Sequence, residues 1–139
     1  MGWGRTLRDS LFGPPPERLA LASIEAVNAH DWDALRRMLA KDFEYIDREG
    51  NRVASPEGFI AALEGLLKTA PDFRLEVDAC RAAGARVVMR GRTVSGNARV
   101  RSESVWRMVT RRGRIRCLES FHANERMRLH SYGSSPESG

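Results

Sequence analysis

Residues 27–47 read VNAHDWDALRRMLAKDFEYID, and the hydrophobic period changes inside them. Trp32, Leu35, Met38 and Leu39 recur at helical spacing on one stripe, with Asp31 placed to cap their first turn, so a short helix is predicted over 31–40. From Phe43 to Asp47 the alternation is that of a strand, running into the turn signal Glu49-Gly50-Asn51. Upstream, a helix is predicted from near Pro16 to Asn28, with Leu19, Ile24, Ala26 and Val27 among its apolar positions. Downstream, Ser55-Pro56-Glu57 opens a third helix through Phe59, Ile60, Leu63, Leu66 and Leu67 that ends before Pro71. Strands follow at about 73–81, 86–95, 98–110 and 114–123, divided by hairpin turns at Gly84, Ser95-Gly96-Asn97 and Arg112-Gly113. Three helices around one early strand, then a long antiparallel meander, predict an α+β fold.

The chain of 139 residues suits one domain, and 42% hydrophobic with 29% charged residues is a globular composition. Two cysteines are too few for a disulfide scaffold, and no apolar run approaches the ~20 residues of a membrane span. A cytoplasmic protein without membrane attachment is expected. Gly2 with Thr6 fits only the loose myristoylation pattern, and the opening residues lack the apolar core of a signal peptide. Residues 1–15 are expected to form an N-terminal arm whose Trp3, Leu7, Leu11 and Phe12 pack on the body, 16–125 the domain, and 126–139 a flexible tail. The net charge of +5 is uneven, because residues 74–128 hold 14 arginines against five acids. These arginines recur at alternate strand positions, as on a solvated sheet face, and 21 of the 23 cations being arginine also suits a compositional bias. No recognition helix, zinc spacing or basic cluster with interleaved aromatics accompanies them, so nucleic acid is not an expected partner.

The order of these elements resembles the nuclear transport factor 2-like superfamily, which includes SnoaL-like polyketide cyclases, ketosteroid isomerases and scytalone dehydratases. The residues that carry the resemblance are Val27 to Leu35, Asp42 to Asp47, Val105-Trp106-Arg107-Met108 and Gly113-Arg114-Ile115, within a span of roughly 16–125. The resemblance implies a cone, in which a curved antiparallel sheet wraps a long helix and encloses a pocket at its open end. It further implies a hydrophobic small molecule as ligand, no cofactor, and homodimers formed through the convex sheet face, here Arg107, Val109, Cys117, Glu119 and Phe121.

Strand phase nominates the pocket. Phe43, Tyr45 and Asp47 share one face; Val100, Ser102, Ser104, Trp106 and Met108 share another, opposite Arg99, Arg101, Glu103 and Arg107. On the last strand the family register turns Leu118, Ser120 and His122 inward, and the alternative register turns Ile115, Cys117 and Phe121 inward. Asp47 matches the position of the general base in ketosteroid isomerases, where an apolar cup would raise its pKa; the competing reading has it cap the Arg48–Asn51 turn. The two oxyanion donors of those isomerases match Ser23 and Ser104, so ketosteroid isomerisation itself is not expected. His122 in the family register would approach Asp47 as a proton partner, and otherwise is a strand-end histidine bonded to backbone. Tyr45, Phe59, Leu63, Trp106 and Leu118 are the expected apolar wall, joined by Ser104 and Ser120 as polar contacts; Tyr45 and Trp106 read equally as plain core. Arg90 and Arg92 are expected to face outward. Three scattered histidines carry no metal spacing, and Cys80 and Cys117 read as reduced structural thiols. The expected function is a proton-transfer enzyme (isomerase, cyclase or dehydratase), the alternative a non-catalytic ligand-binding or dimerising module.

Overall fold

A computed structural model of the chain describes residues 13–123. The expected packing of Trp3, Leu7, Leu11 and Phe12, and the tail from residue 126, lie outside the described residues. Within them the order is α1 (Pro16–Asn28), α2 (Trp32–Met38), β1 (Leu39–Ile46), β2 (Arg52–Val53), α3 (Pro56–Thr69), β3 (Arg74–Ala83), β4 (Arg86–Val94), β5 (Ser102–Arg111) and β6 (Arg114–His122). The result is the α+β architecture expected, with three helices against one six-stranded sheet.

Local chemistry explains the helix boundaries. Proline at the start of α1 lacks the amide hydrogen that the first turn has no use for. Its end is a Schellman arrangement: His30 takes the left-handed conformation at φ 57°, while the amides of His30 and Asp31 donate to the carbonyls of Val27 and Ala26 at 3.0 and 2.9 Å. Asp31 then caps α2 at once, accepting from the Ala34 amide at 3.1 Å. Ser55 does the same for α3 through the Gly58 amide at 3.0 Å. Helix α2 stops at Met38 because Leu39 is already extended, so β1 starts four residues earlier than its alternation suggested.

The sheet order is β2-β1-β6-β5-β4-β3. Strands β3 to β6 form the expected antiparallel meander, but β1 lies parallel to β6, with Tyr45 beside Leu118, so the sheet is mixed. It also remains open, with β2 and β3 at its edges, instead of closing into a barrel. Strand β5 begins at Ser102, not at 98, because Val100 folds back onto the Asn97 carbonyl in a turn. Besides a break in register between Leu39 and Glu44 of β1 against β6, two bulges interrupt the ladder. In β3 the register slips between Val77 and Ala79, and in β6 Ile115 pairs with Thr110 while Cys117 pairs with Val109, leaving Arg116 as the extra residue. Opposite the first bulge, Gly91 approaches β3 so closely that a Cβ would lie 1.8 Å from the Glu76 carbonyl oxygen.

Helices cover the concave face. Phe43 is fully enclosed among Leu35, Phe59, Met108 and Ile115 of the same core, and its ring lies 5.2 Å from that of Phe59. Burying a side chain of this size contributes roughly 2–3 kcal/mol. Asn28 ties α1 to the sheet edge, its amide donating to the Leu75 carbonyl and accepting from the Leu75 amide, both at 2.8 Å. Among the described residues no helix is long and apolar enough to cross a membrane.

Candidate functional site

Between the helices and the concave sheet face lies a cavity of about 450 Å³. Its floor is apolar and buried, made by Val27, Leu35, Phe43, Met89, Met108 and Ile115. Its rim is more exposed and polar, with Asp47, Arg48, Glu49, Arg99 and His122. A largely apolar concavity with a few convergent polar groups is the usual form of a small-molecule site.

Of the residues nominated from sequence, Tyr45, Phe59, Leu63, Trp106, Leu118 and Ser120 line the wall, and Asp47 and His122 stand at the rim. Ser104 does not line the cavity. It is 0% exposed, and its hydroxyl oxygen accepts a hydrogen bond from the Arg48 guanidinium, which covers it. Ser23 lines the wall, but its hydroxyl donates to the Ala20 carbonyl of its own helix at 2.6 Å. Leu118, Ser120 and His122 face inward, and the bulge at Arg116 brings Ile115 in as well. The two registers read as alternatives are thus combined on one strand, because an extra residue reverses the side-chain phase.

Asp47 occupies the rim differently from the expectation. Its Oδ1 accepts from the amides of Glu49 and Asn51 at 2.9 and 2.8 Å, and its Oδ2 from the Asn51 side chain at 3.1 Å. Burial pushes its pKa upward, but the hydrogen bonds from Asn51, Glu49 and Gly50 outweigh that and hold it below the usual carboxylate range. The expected rise is therefore corrected to a fall: the turn-capping reading accounts for this carboxylate, which stays ionised at neutral pH. His122 is exposed, and no hydrogen bond or ion pair joins it to Asp47. Tyr45 is the reverse case. Burial raises its phenol above the ordinary value despite the Ser120 hydrogen bond and the Arg48 charge, so it remains a protonated donor.

Sequence reasoning gave Arg48 no part in the site and placed Arg99 on the outward face, yet both line the cavity. Arg48 lies two residues past the end of β1, where the turn and no longer the strand period sets direction. Arg99 was assigned outward by a strand that the structure replaces with a turn. The remaining arginines of the sheet do face out. Arg92 pairs with Asp78 at 2.5 Å, Glu103 at 3.2 Å and Glu76 at 3.5 Å; Arg107 pairs with Glu119 at 2.5 Å, and Asp42 takes both Arg111 and Arg116. Exposed pairs of this kind contribute only about 0–1 kcal/mol each, so they organise the surface more than they stabilise it. Cys80 and Cys117 are unpaired thiols whose pKa values burial raises. Among the described residues no cluster of three histidine, cysteine or acidic side chains is placed to hold a metal.

Three helices, an open mixed sheet and an apolar cavity with a polar rim make an α+β cone, and the sequence assigns its family. The chain belongs to the family of SnoaL-like domains, which matches residues 20–118. Similar solved structures include an uncharacterised cystatin-fold protein from Novosphingobium aromaticivorans, at 20% identity and a TM-score of 0.72, covering 79% of this chain and 100% of that one. TerC, co-crystallised with polyporic acid, is 19% identical with a TM-score of 0.70, over 85% and 97% of the two chains. A protein assigned as a SnoaL-like polyketide cyclase from Shewanella putrefaciens is 17% identical with a TM-score of 0.67, over 88% of each. At these identities the likeness is one of fold. No protein of curated function is significantly similar in sequence.

Proposed function

We propose that the cavity receives a hydrophobic cyclic small molecule, such as a cyclic ketone or phenol, and that the protein is a cofactor-independent proton-transfer enzyme of the isomerase, cyclase or dehydratase type. One observation carries this reading: a fixed, ionised carboxylate and a protonated phenol, Asp47 and Tyr45, border the same apolar cavity. Asp47 would take a proton from carbon, and the Tyr45 hydroxyl, paired with Ser120, would donate to the oxygen on which charge develops. Tyr45 thereby replaces the donors absent at Ser23 and Ser104. His122 at the rim would carry the proton onward. Family membership and the co-crystallisation of TerC with polyporic acid support the pocket side of the proposal.

The second reading is a binding module without turnover, favoured by the hydrogen bonds that lower the basicity of Asp47. A thermal-shift screen of wild type and Asp47→Asn against cyclic enones, phenols, epoxides and fatty acids separates the two. Ligand at 100 times its dissociation constant stabilises by about 2.7 kcal/mol. Binding by both proteins with product formed only by wild type is the result expected of the enzyme. Binding by both with no product from either would establish the module, and no shift for any class would remove the small-molecule function.

On the convex face, Arg107 lies 5.4 Å over the Phe121 ring and pairs with Glu119. This patch, with Val109 and Cys117, is our proposed homodimer contact; sedimentation of wild type and Phe121→Glu at micromolar concentration tests it, a monomeric wild type being the contrary result.

A further inference from the structure

On the outer face of the sheet Arg52, Arg92, Arg107, Arg111 and Arg116 each reach a carboxylate. Arg74, Arg81, Arg86 and Arg90 of β3 and β4 are exposed and make no ion pair among the described residues, but they lie away from the cavity, whereas Arg48 and Arg99 line it. Arg48 has one hydrogen-bond partner among the described residues, the neutral hydroxyl of Ser104. Arg99 lines the same cavity, and its guanidinium has no hydrogen bond or ion pair among the described residues.

What holds Arg48 is itself uncharged. Ser104 lies 3.4 Å from the Ser102 hydroxyl, which lies 3.2 Å from that of Thr93, and Thr93 donates to the Val100 carbonyl at 2.6 Å. This row of hydroxyls anchors the guanidinium without neutralising it. Of the adjacent acids, Asp47 is committed to its own turn, and Glu49 makes no hydrogen bond or ion pair with Arg48. A guanidinium carries five N–H donors in a planar fork matched to two oxygens, and Ser104 occupies one. Beside an apolar cavity its attraction for an anion is stronger than in open water.

We propose that the ligand of this cavity is an amphipathic organic anion, its apolar body inside and its acidic head, a carboxylate or an acidic enolate, gripped by Arg48 with Arg99 as a second contact. This rests on the cavity being a small-molecule site, and it narrows that reading from neutral ketones and phenols to ionised acids.

The test measures affinity for two matched pairs at pH 7 by calorimetry on the full chain: 2-naphthoate against 2-naphthamide, and 2-hydroxy-1,4-naphthoquinone, which is ionised, against its 2-methoxy ether. The anion of at least one pair should bind about tenfold tighter than its neutral partner, as expected for a hydrogen-bonded charge. Which pair shows the preference tells carboxylate from enolate. Arg48→Gln should abolish the preference while leaving the neutral partner within about twofold, Arg48→Lys should keep part of it, and Arg99→Gln should reduce it by about threefold. Circular dichroism checks that each variant folds; the wild-type comparison does not depend on them. Equal affinity for anions and neutral partners would overturn the anion proposal and leave the small-molecule pocket standing. A preference that persists in both Arg48→Gln and Arg99→Gln would overturn the assignment to these arginines. No binding of any probe to wild type would count against both readings.

Discussion

The hydroxyls of Tyr45 and Ser120 meet at 2.9 Å across the parallel pair β1–β6, although 75 residues of chain separate them. This contact fixes the phenol in the cavity wall and gives its oxygen a partner where burial would otherwise leave it unsatisfied. Tyr45→Phe should cost about 1 kcal/mol in urea unfolding, the net worth of one hydrogen bond, and should remove most turnover of any substrate found. Ser120→Ala should match it in stability and retain more activity, since the phenol can still donate. Equal activity in wild type and Tyr45→Phe would take the phenol out of the mechanism.

Asp47 combines a turn cap with a place at the rim. Asp47→Asn keeps an oxygen for the Glu49 and Asn51 amides and should leave the melting temperature nearly unchanged while abolishing turnover. Asp47→Ala removes the cap and should cost about 1 kcal/mol. A large drop in melting temperature for the asparagine variant would mark the carboxylate as structural alone.

Stability should be level at neutral pH and fall only in acid. Hydrogen bonds lower the Asp47 pKa, and the Ser95 hydroxyl at 2.6 Å with the Gly96 amide at 2.6 Å lowers that of Asp72. A carboxylate held below its unfolded value of about 3.9 contributes stability above that pH and loses it as the pH falls through the lower folded value. Denaturant midpoints should therefore hold above about pH 5 and decline below about pH 4, with a shallower decline in the Asp47→Asn/Asp72→Asn double variant. An equally steep decline there would assign the acid sensitivity to other groups.

Two glycines give opposite forecasts for the same substitution. Gly91→Ala drives a Cβ to 1.8 Å from the Glu76 carbonyl oxygen, a backbone atom that has no rotamer to escape by, and should cost at least about 2 kcal/mol. Gly65→Ala, on the exposed side of α3 with nothing within 4 Å of the added carbon, should stabilise by about 0.5–1 kcal/mol through helix propensity. Thermal unfolding of the two variants side by side measures both, and a neutral Gly91→Ala would mean that the bulge in β3 relaxes freely.

Much of the fold was readable locally. The caps Asp31 and Ser55, the switch of period between Met38 and Phe43, and the glycine turns of the meander depend only on neighbours a few residues away, and a sequence displays those directly. The inward set Phe43, Tyr45 and Trp106 was legible for the same reason, since strand alternation persists wherever the strand is regular. The approach of Gly91 to Glu76 had no such signal, because it is set by a bulge on the partner strand.

By itself, then, the sequence determined the three helices, five of the six strands, their order, and the apolar face of each of those strands but β6, all consequences of short-range periodicity and capping. The tertiary structure decided what lies across long loops or beyond the last regular residue: that β1 runs parallel to β6, that Arg116 bulges so that Ile115 and Leu118 both face in, and that Arg48 and Arg99 turn to the rim. Pairing between distant strands and the direction of a side chain after a strand has ended obey no local period, so only the packed chain specifies them.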